Sequence, residues 1–225
     1  MKKQILIGIS ALGLLVPAPA ALYSTGNVNG SGTSLNLAIP DANPNGITSS
    51  LLVSGAAASL THVNVTLNVS GGYNGDLYAY LSYNGTLVTL LNRVGTGSGD
   101  AIQNSFGYST AGFNNVTLDD AATGGNIHNI QNPGSLPTVS YTADGGSLAS
   151  FNLANPNGTW TLFFADMSAG NTSTLEGWSL DITAVPEPVN VALGIFGAVA
   201  AAGSWMAHTR MKRQILSSPH RLLAE

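Results

Sequence analysis

Between His62 and Val69 the chain alternates strictly. Val63, Val65, Leu67 and Val69 are apolar, and His62, Asn64, Thr66 and Asn68 are polar. Successive side chains of a strand point to opposite faces, so this run reads as a strand burying one face. The same period of two recurs over Leu77–Tyr83, Thr159–Phe164 and Trp178–Thr183. Asn84-Gly85 separates Asp76–Tyr83 from Thr86–Asn92. Both residues tolerate positive φ, which predicts a two-residue type I′ hairpin. Asn155-Pro156-Asn157-Gly158 marks another turn. Weaker strands fall at Leu35–Ile39, Thr48–Ser54, Asn115–Leu118 and Thr138–Thr142. The middle of the chain offers no amphipathic helix. About eight short strands broken by Gly and Asn turns predict an all-β antiparallel sandwich. Trp160 and Trp178 are expected in its core. With Cys at 0, a disulfide framework, a thiolate metal site and a Cys nucleophile are excluded.

Charge is sparse and segregated. Lys and Arg number 7, Asp and Glu 11. Lys2 and Lys3 open the chain, and Arg210, Lys212, Arg213 and Arg221 close it. Arg93 is the one basic residue between 21 and 188, where Asp and Glu number ten. A region this acidic repels phosphate backbones, which argues against nucleic-acid binding. Met1-Lys2-Lys3, the apolar run Ile5–Pro17 and Ala18-Pro19-Ala20 follow the order of a signal peptide. Residues 1–20 are therefore expected to pass through the secretion translocon and be cut by signal peptidase. A flexible segment, 21–34, would follow. Val189–Ala207 carries no formal charge. Its length and the cations after it, Arg210, Lys212 and Arg213, predict a transmembrane helix with a cytoplasmic tail at 214–225. On this reading the protein is exported to the cell envelope, anchored there by its C-terminal helix, and displayed at the surface or released.

Several motifs occur in a telling order: Ile39-Pro40-Asp41, Gly75-Asp76-Leu77-Tyr78-Ala79-Tyr80-Leu81 and Leu87-Val88-Thr89-Leu90-Leu91. Val116-Thr117-Leu118-Asp119-Asp120-Ala121-Ala122 follows, then Asn157-Gly158-Thr159-Trp160-Thr161-Leu162, Ala165-Asp166 and Leu175-Glu176-Gly177-Trp178-Ser179-Leu180. Over residues 35–184 this order resembles the P-domain (P/Homo B) of proprotein convertases. The resemblance implies an eight-stranded jelly roll of the galactose-binding-like kind, a module that accompanies a subtilisin-like protease. Some P-domains carry Ca²⁺. Val185-Pro186-Glu187-Pro188, the apolar stretch and the basic tail, over 185–213, resemble a PEP-CTERM sorting signal. That resemblance implies an exosortase partner reading Glu187 between its two prolines.

Candidate sites are few. Within 21–184 the histidines are His62 and His128, and no nucleophile elbow or paired-His metal spacing accompanies them. No catalytic residue is assigned, and the protein is read as non-enzymatic. Asp76, Asp119, Asp120 and Asp166 lie at strand ends, where loops could gather them. Their hard oxygens suit Ca²⁺. The same residues equally suit turn caps. Tyr78 and Tyr80 fall on one side of a strand and could form an aromatic platform for polysaccharide; packing within a sandwich explains them as well. The functional expectation is a non-catalytic module for display, with carbohydrate binding or service to a subtilisin-like protease as alternatives.

Overall fold

A computed structural model describes residues 20–97, 107, 112–129, 140–186 and 188–217. Residues 1–19, nearly all of the expected signal peptide at 1–20, and the tail beyond Ser217 lie outside them.

Nine strands are present among the described residues. They are β1 (Ala21–Gly26), β2 (Leu37–Ile39), β3 (Asn43–Val53), β4 (Ser59–Gly71), β5 (Leu77–Tyr83), β6 (Thr86–Asn92), β7 (Phe113–Leu118), β8 (Gly158–Asp166) and β9 (Ser173–Val185). They form two antiparallel sheets. One runs β1-β9-β4-β7, with β2 also paired to β9; the other runs β3-β8-β5-β6. The fold is the all-β sandwich expected from the alternation. β1 belongs to it as well, pairing with β9 from Ala21↔Ile182 to Gly26↔Gly177. Its six residues, Ala-Leu-Tyr-Ser-Thr-Gly, are too few to show a period by themselves, which is why 21–34 reads as a flexible segment in the sequence and the sandwich as starting at 35. The expected strand Thr138–Thr142 lies partly outside the described residues; Tyr141 and Thr142 make isolated bridges to Leu118 and Asn126.

The inward residues of both sheets merge into one apolar cluster. Val63, Val65, Leu67 and Val69 of β4 meet Leu77, Ala79 and Leu81 of β5 and Trp160, Leu162 and Phe164 of β8 there. Trp178 of β9 is fully buried, and its indole N–H donates across the layer to the Ser49 hydroxyl of β3 at 2.9 Å. Trp160 is equally buried. Tyr83 stacks on it at 4.1 Å, Phe151 meets it edge-on at 5.0 Å, and its indole donates to the Pro156 carbonyl. The β5–β6 hairpin turns through Asn84 and Gly85 at φ 47° and 79°, as the Asn-Gly signal requires.

One irregularity shapes an end of the sandwich. β3 pairs with Asp166 at Asn43 and with Phe164 only at Ile47, so a bulge intervenes. Gly46 sits in it at φ 52°, and a Cβ there would lie 2.0 Å from the Phe164 carbonyl oxygen. Only glycine permits this approach. The bulge lays the start of β3 beside the end of β8.

The C-terminal helix α1 (Pro188–Ser217) belongs to a second unit, the sandwich unit ending at Val185. The expected membrane anchor is corrected here. Among the described residues no helix is long and apolar enough to cross a membrane. Over 193–211, α1 holds five Ala and three Gly and runs into Ser204, His208, Thr209 and Arg210. Such residues supply too little transfer energy to offset the polar ones. The envelope localisation that rested on this anchor falls with it.

Two outcomes test the core in urea unfolding. Trp160→Ala is expected to cost ~3–5 kcal/mol, the price of an emptied aromatic site. Ser49→Ala is expected to cost ~1–3 kcal/mol, because it strands the buried Trp178 N–H without an acceptor.

Candidate functional site

The four acidic residues singled out in the sequence divide into two pairs. Asp119 and Asp120 are engaged locally. Asp119 accepts from the Ala121 amide at 2.8 Å and faces His62 Nε2 at 3.3 Å. Asp120 caps the short 3-10 turn Leu148–Phe151, accepting from the amides of Leu148 and Ala149 and from the Ser147 hydroxyl. These are the turn-cap roles that Asp performs through side-chain-to-backbone bonds.

Asp76 and Asp166 sit elsewhere, at one end of the sheet β3-β8-β5-β6. Asp76 ends the single turn Asn74–Asp76 just before β5, and Asp166 is the last residue of β8. Leu77 pairs with Asp166, which places the turn that bears Asp76 beside the end of β8. Both are buried, Asp76 to 1% exposure and Asp166 to 0%. One oxygen of each, Asp76 Oδ2 and Asp166 Oδ2, has no hydrogen-bond partner. A third such atom, the Oδ1 of fully buried Asn74, belongs to the same turn as Asp76; its amide nitrogen donates to Gly112. Asp41 joins the corner from the chain before β3 and accepts from the Gly170 amide at 3.0 Å.

Arg93, the lone cation of the acidic region, is drawn to the same corner. Its Nε donates to the Gly75 carbonyl at 3.1 Å and its Nη2 to the Ser168 hydroxyl at 2.8 Å. Burial pushes the Asp166 carboxyl up from 3.8 to about 6. The neighbouring Asp76 and Asp41 carboxylates add to this, and the Ser168 amide opposes it. Burial raises Asp76 too, opposed chiefly by the Arg93 charge. Asn74, Asp76 and Asp166 each keep one buried oxygen without a donor, while Asp166 Oδ1 accepts from the Ser168 amide at 3.2 Å; free oxygen lone pairs of this kind are the donors that calcium takes. Asp120 spends both oxygens on the Leu148 and Ala149 amides, and Asp119 spends its Oδ1 on the Ala121 amide and His62.

Tyr78 and Tyr80 share the outer face of β5, 6.2 Å apart and at 64° to one another. Phe163, opposite Tyr80 on β8, stacks on it at 4.7 Å and 14°, and meets Tyr78 edge-on at 6.5 Å. The sequence reading missed Phe163. Its place in the alternation Thr159, Thr161, Phe163 puts it on the outer face, but only the register of β8 against β5 shows which residue it faces.

Both histidines of the sandwich lean on acids. His128 Nδ1 lies 2.8 Å from Asp144 Oδ2 and its Nε2 lies 3.1 Å from the Thr96 carbonyl oxygen. His62 points to Asp119 on the outer face of β4. An imidazole that acts as base must aim a nitrogen at the attacking hydroxyl; the Nε2 of His128 is aimed at a carbonyl. A pocket of about 130 Å³ beside Ala21, Tyr23, Ala56 and Ile182 is mainly apolar. Of the proposed sorting residues, Val185 ends β9, Pro186 is exposed, Pro188 opens α1 and Glu187 lies outside the described residues. Arg210 is exposed on α1, while the side chains of Lys212 and Arg213 lie outside the described residues.

No protein-family model and no curated protein matches the chain. Among solved structures, the complex of Aeromonas sobria serine protease with its chaperone is similar over 76% of this chain and 27% of that one, at 19% identity and a TM-score of 0.43. The serine protease of Aeromonas sobria alone is similar over 77% and 28%, at 17% identity and a TM-score of 0.41. The chain thus spans little more than a quarter of the length of these proteins, and the likeness is too loose to carry over fold or activity.

The raised Asp166 carboxyl has a signed consequence. Its proton stabilises the fold fully below the unfolded value near 3.8, and that contribution is lost as pH rises through about 6. In chelator, urea unfolding of the wild type is expected to lose on the order of 2–3 kcal/mol between pH 4 and pH 7 relative to Asp166→Asn. Parallel pH profiles for the two proteins would remove Asp166 as the titrating group.

Proposed function

We propose that this chain is a non-catalytic binding module, a P-domain-like sandwich whose ligand is a neutral polysaccharide held on the outer face of the sheet β3-β8-β5-β6. The observation that carries this reading is the make-up of that face. The register aligns Thr48, Phe163, Tyr80 and Thr89 in one row across the four strands, and Ser50, Thr161, Ser82 and Leu87 in the next. None bears a charge. Leu87 in the second row is 52% exposed, and Leu52 beyond it on β3 is 66% exposed. Aromatic rings meet the C–H faces of sugars, and hydroxyls exchange hydrogen bonds with sugar hydroxyls, so this combination suits a neutral glycan. An acidic glycan would meet the repulsion of the surrounding negative region. The outer face of the other sheet is different in kind, with His62, Asn64 and Asp181 on neighbouring β4 and β9.

A second reading, an accessory module of a subtilisin-like protease, is favoured by the P-domain motif order. Gly75-Asp76-Leu77, Gly158-Thr159-Trp160 and Gly177-Trp178 lie on or at the edge of β5, β8 and β9, strands with neighbours on both sides. Under it the same face would dock a protein instead of a glycan.

Affinity electrophoresis through gels containing neutral polysaccharides separates the two. Retardation by at least one of them is expected, weakened about tenfold or more in Tyr80→Ala and unchanged in Asn64→Ala on the opposite sheet. Free migration through every neutral polysaccharide, or retardation indifferent to Tyr80→Ala, would remove the glycan reading. Stable co-migration with a purified subtilisin-like protease would then favour the second.

A further inference from the structure

We infer that two copies of this chain associate end to end, Leu153 of each entering an apolar pocket of the other. The inference is independent of the glycan reading, which concerns a sheet face. Leu153 is 82% exposed, more than any other large apolar residue described. Its backbone lies at φ 69°. Of the eight non-glycine residues at positive φ among those described, five are Asn, which tolerates the left-handed region. Leu153 is the one with a large apolar side chain. Two backbone bonds hold it there. Its amide donates to the Leu60 carbonyl at 2.8 Å, and the Leu60 amide donates to the Ala154 carbonyl at 2.9 Å. Folding alone gives no reason for leucine at this position. Glycine would adopt this φ without strain, and a polar side chain would sit better in water. A strained residue that displays a bare aliphatic side chain points to use by a partner.

The pocket lies at the same end of the sandwich. Gly55, Ala56 and Ala57 of the β3–β4 loop line it together with Ile182 and Ala184 of β9, and its volume is about 130 Å³. Ala184 pairs with Leu60, the residue that holds Leu153. Ala56 exchanges two bonds of 2.9 Å with the Asn157 side chain, which bolts the β3–β4 loop to the segment carrying Leu153. Leucine and pocket are therefore fixed relative to one another. An apolar cavity of ~150 Å³ takes up a guest the size of benzene. The isobutyl group of leucine is smaller than that guest, so the pocket is leucine-sized.

Three occupants are conceivable, and they differ in what they satisfy. A free aliphatic molecule fills the pocket and leaves Leu153 bare. A foreign protein must bring both a projecting side chain and a socket at the matching spacing. A second copy carries both by construction, and a two-fold axis closes the contact at two subunits. Charge favours the copy as well. Residues 54–58 and 152–158 carry no formal charge. Two identical surfaces therefore meet here without the like-charge repulsion that the acidic remainder of the domain would impose. A contact built on two short loops belongs at the small end of interfaces, with a Kd on the order of 10⁻⁵–10⁻⁴ M.

The test is sedimentation equilibrium of the full chain over concentrations spanning that Kd. A reversible monomer–dimer equilibrium is expected. Leu153→Gly should weaken it about tenfold or more, while melting no lower than the wild type because it relieves the left-handed strain. Ala57→Phe, which fills the pocket from within, should weaken it by a similar factor. Met167→Ser removes an exposed apolar side chain just past the far end of β8 and should leave it unchanged. A monomer at every concentration overturns the proposal. So does a dimer indifferent to Leu153→Gly, which would pass the association to another surface. A dimer weakened by Leu153→Gly but kept in folded Ala57→Phe overturns the pocket as the seat of the leucine.

Discussion

The hydrogen bond from Trp178 to Ser49 joins the two sheets through the middle of an otherwise apolar layer. Its partners come from β9 and β3, strands of different sheets, and both are buried. A buried indole N–H needs an acceptor, so this one polar contact fixes which residue of β3 faces which residue of β9. The rest of the layer has no such discrimination, because Val and Leu pack against one another in many registers. β9 also holds β1, β2 and β4. Fixing β9 against β3 therefore orders most of the first sheet relative to the second.

Trp160 of β8 acts within its own sheet, stacked on Tyr83 of β5, edge-on to Phe151 and bonded to the Pro156 carbonyl. Between them the two tryptophans leave each sheet one inner face and one outer face with different duties. The inner faces are occupied by packing. What remains for recognition is the outer faces and the strand ends, and the two sheets use them differently. On β4, β7 and β9 polar pairs such as Thr66 with Thr117 and His62 with Asp119 satisfy one another. On β5 and β8 the rings of Tyr78, Tyr80 and Phe163 contact one another and leave hydroxyl-bearing neighbours around them.

The strands were legible wherever the alternation ran for six residues or more, as in β4, β5, β8 and β9. β1 and β2 escaped or blurred because short runs gain their identity from a partner strand: β1 exists by its pairing with Ile182 through Gly177. The hairpin at Asn84-Gly85 was legible because φ > 0 is a local demand that local residues answer. The acidic site was legible only in composition. That Asp76 and Asp166 meet, while Asp119 and Asp120 turn to caps, depends on the pairing of Leu77 with Asp166 and on the bulge at Gly46. Both are long-range facts with no sequence period. The helix was misjudged for a related reason: a span without charges was counted as apolar, although alanine and glycine contribute little to partitioning.

One local sign of the acidic corner is nonetheless present in the chain. Along β8 burial alternates from Thr159 to Phe164, then Phe164, Ala165 and Asp166 are buried in succession. Alternation fails where a strand leaves the two-faced sandwich and is covered from both sides. Here β3, bent by its bulge, lies on one edge of Asp166 and β5 on the other. The Asp166 carboxylate enclosed in this way has one oxygen on the Ser168 amide and the other without a donor, a costly arrangement unless a partner compensates it. Arg93, at positive φ and the sole cation of the region, compensates only in part, since its described hydrogen bonds go to Gly75 and Ser168. The stability of that end of the sandwich is thus set by what else enters the corner, whereas the rings of Tyr78, Tyr80 and Phe163, a short way along the same strands, are held by packing on one another.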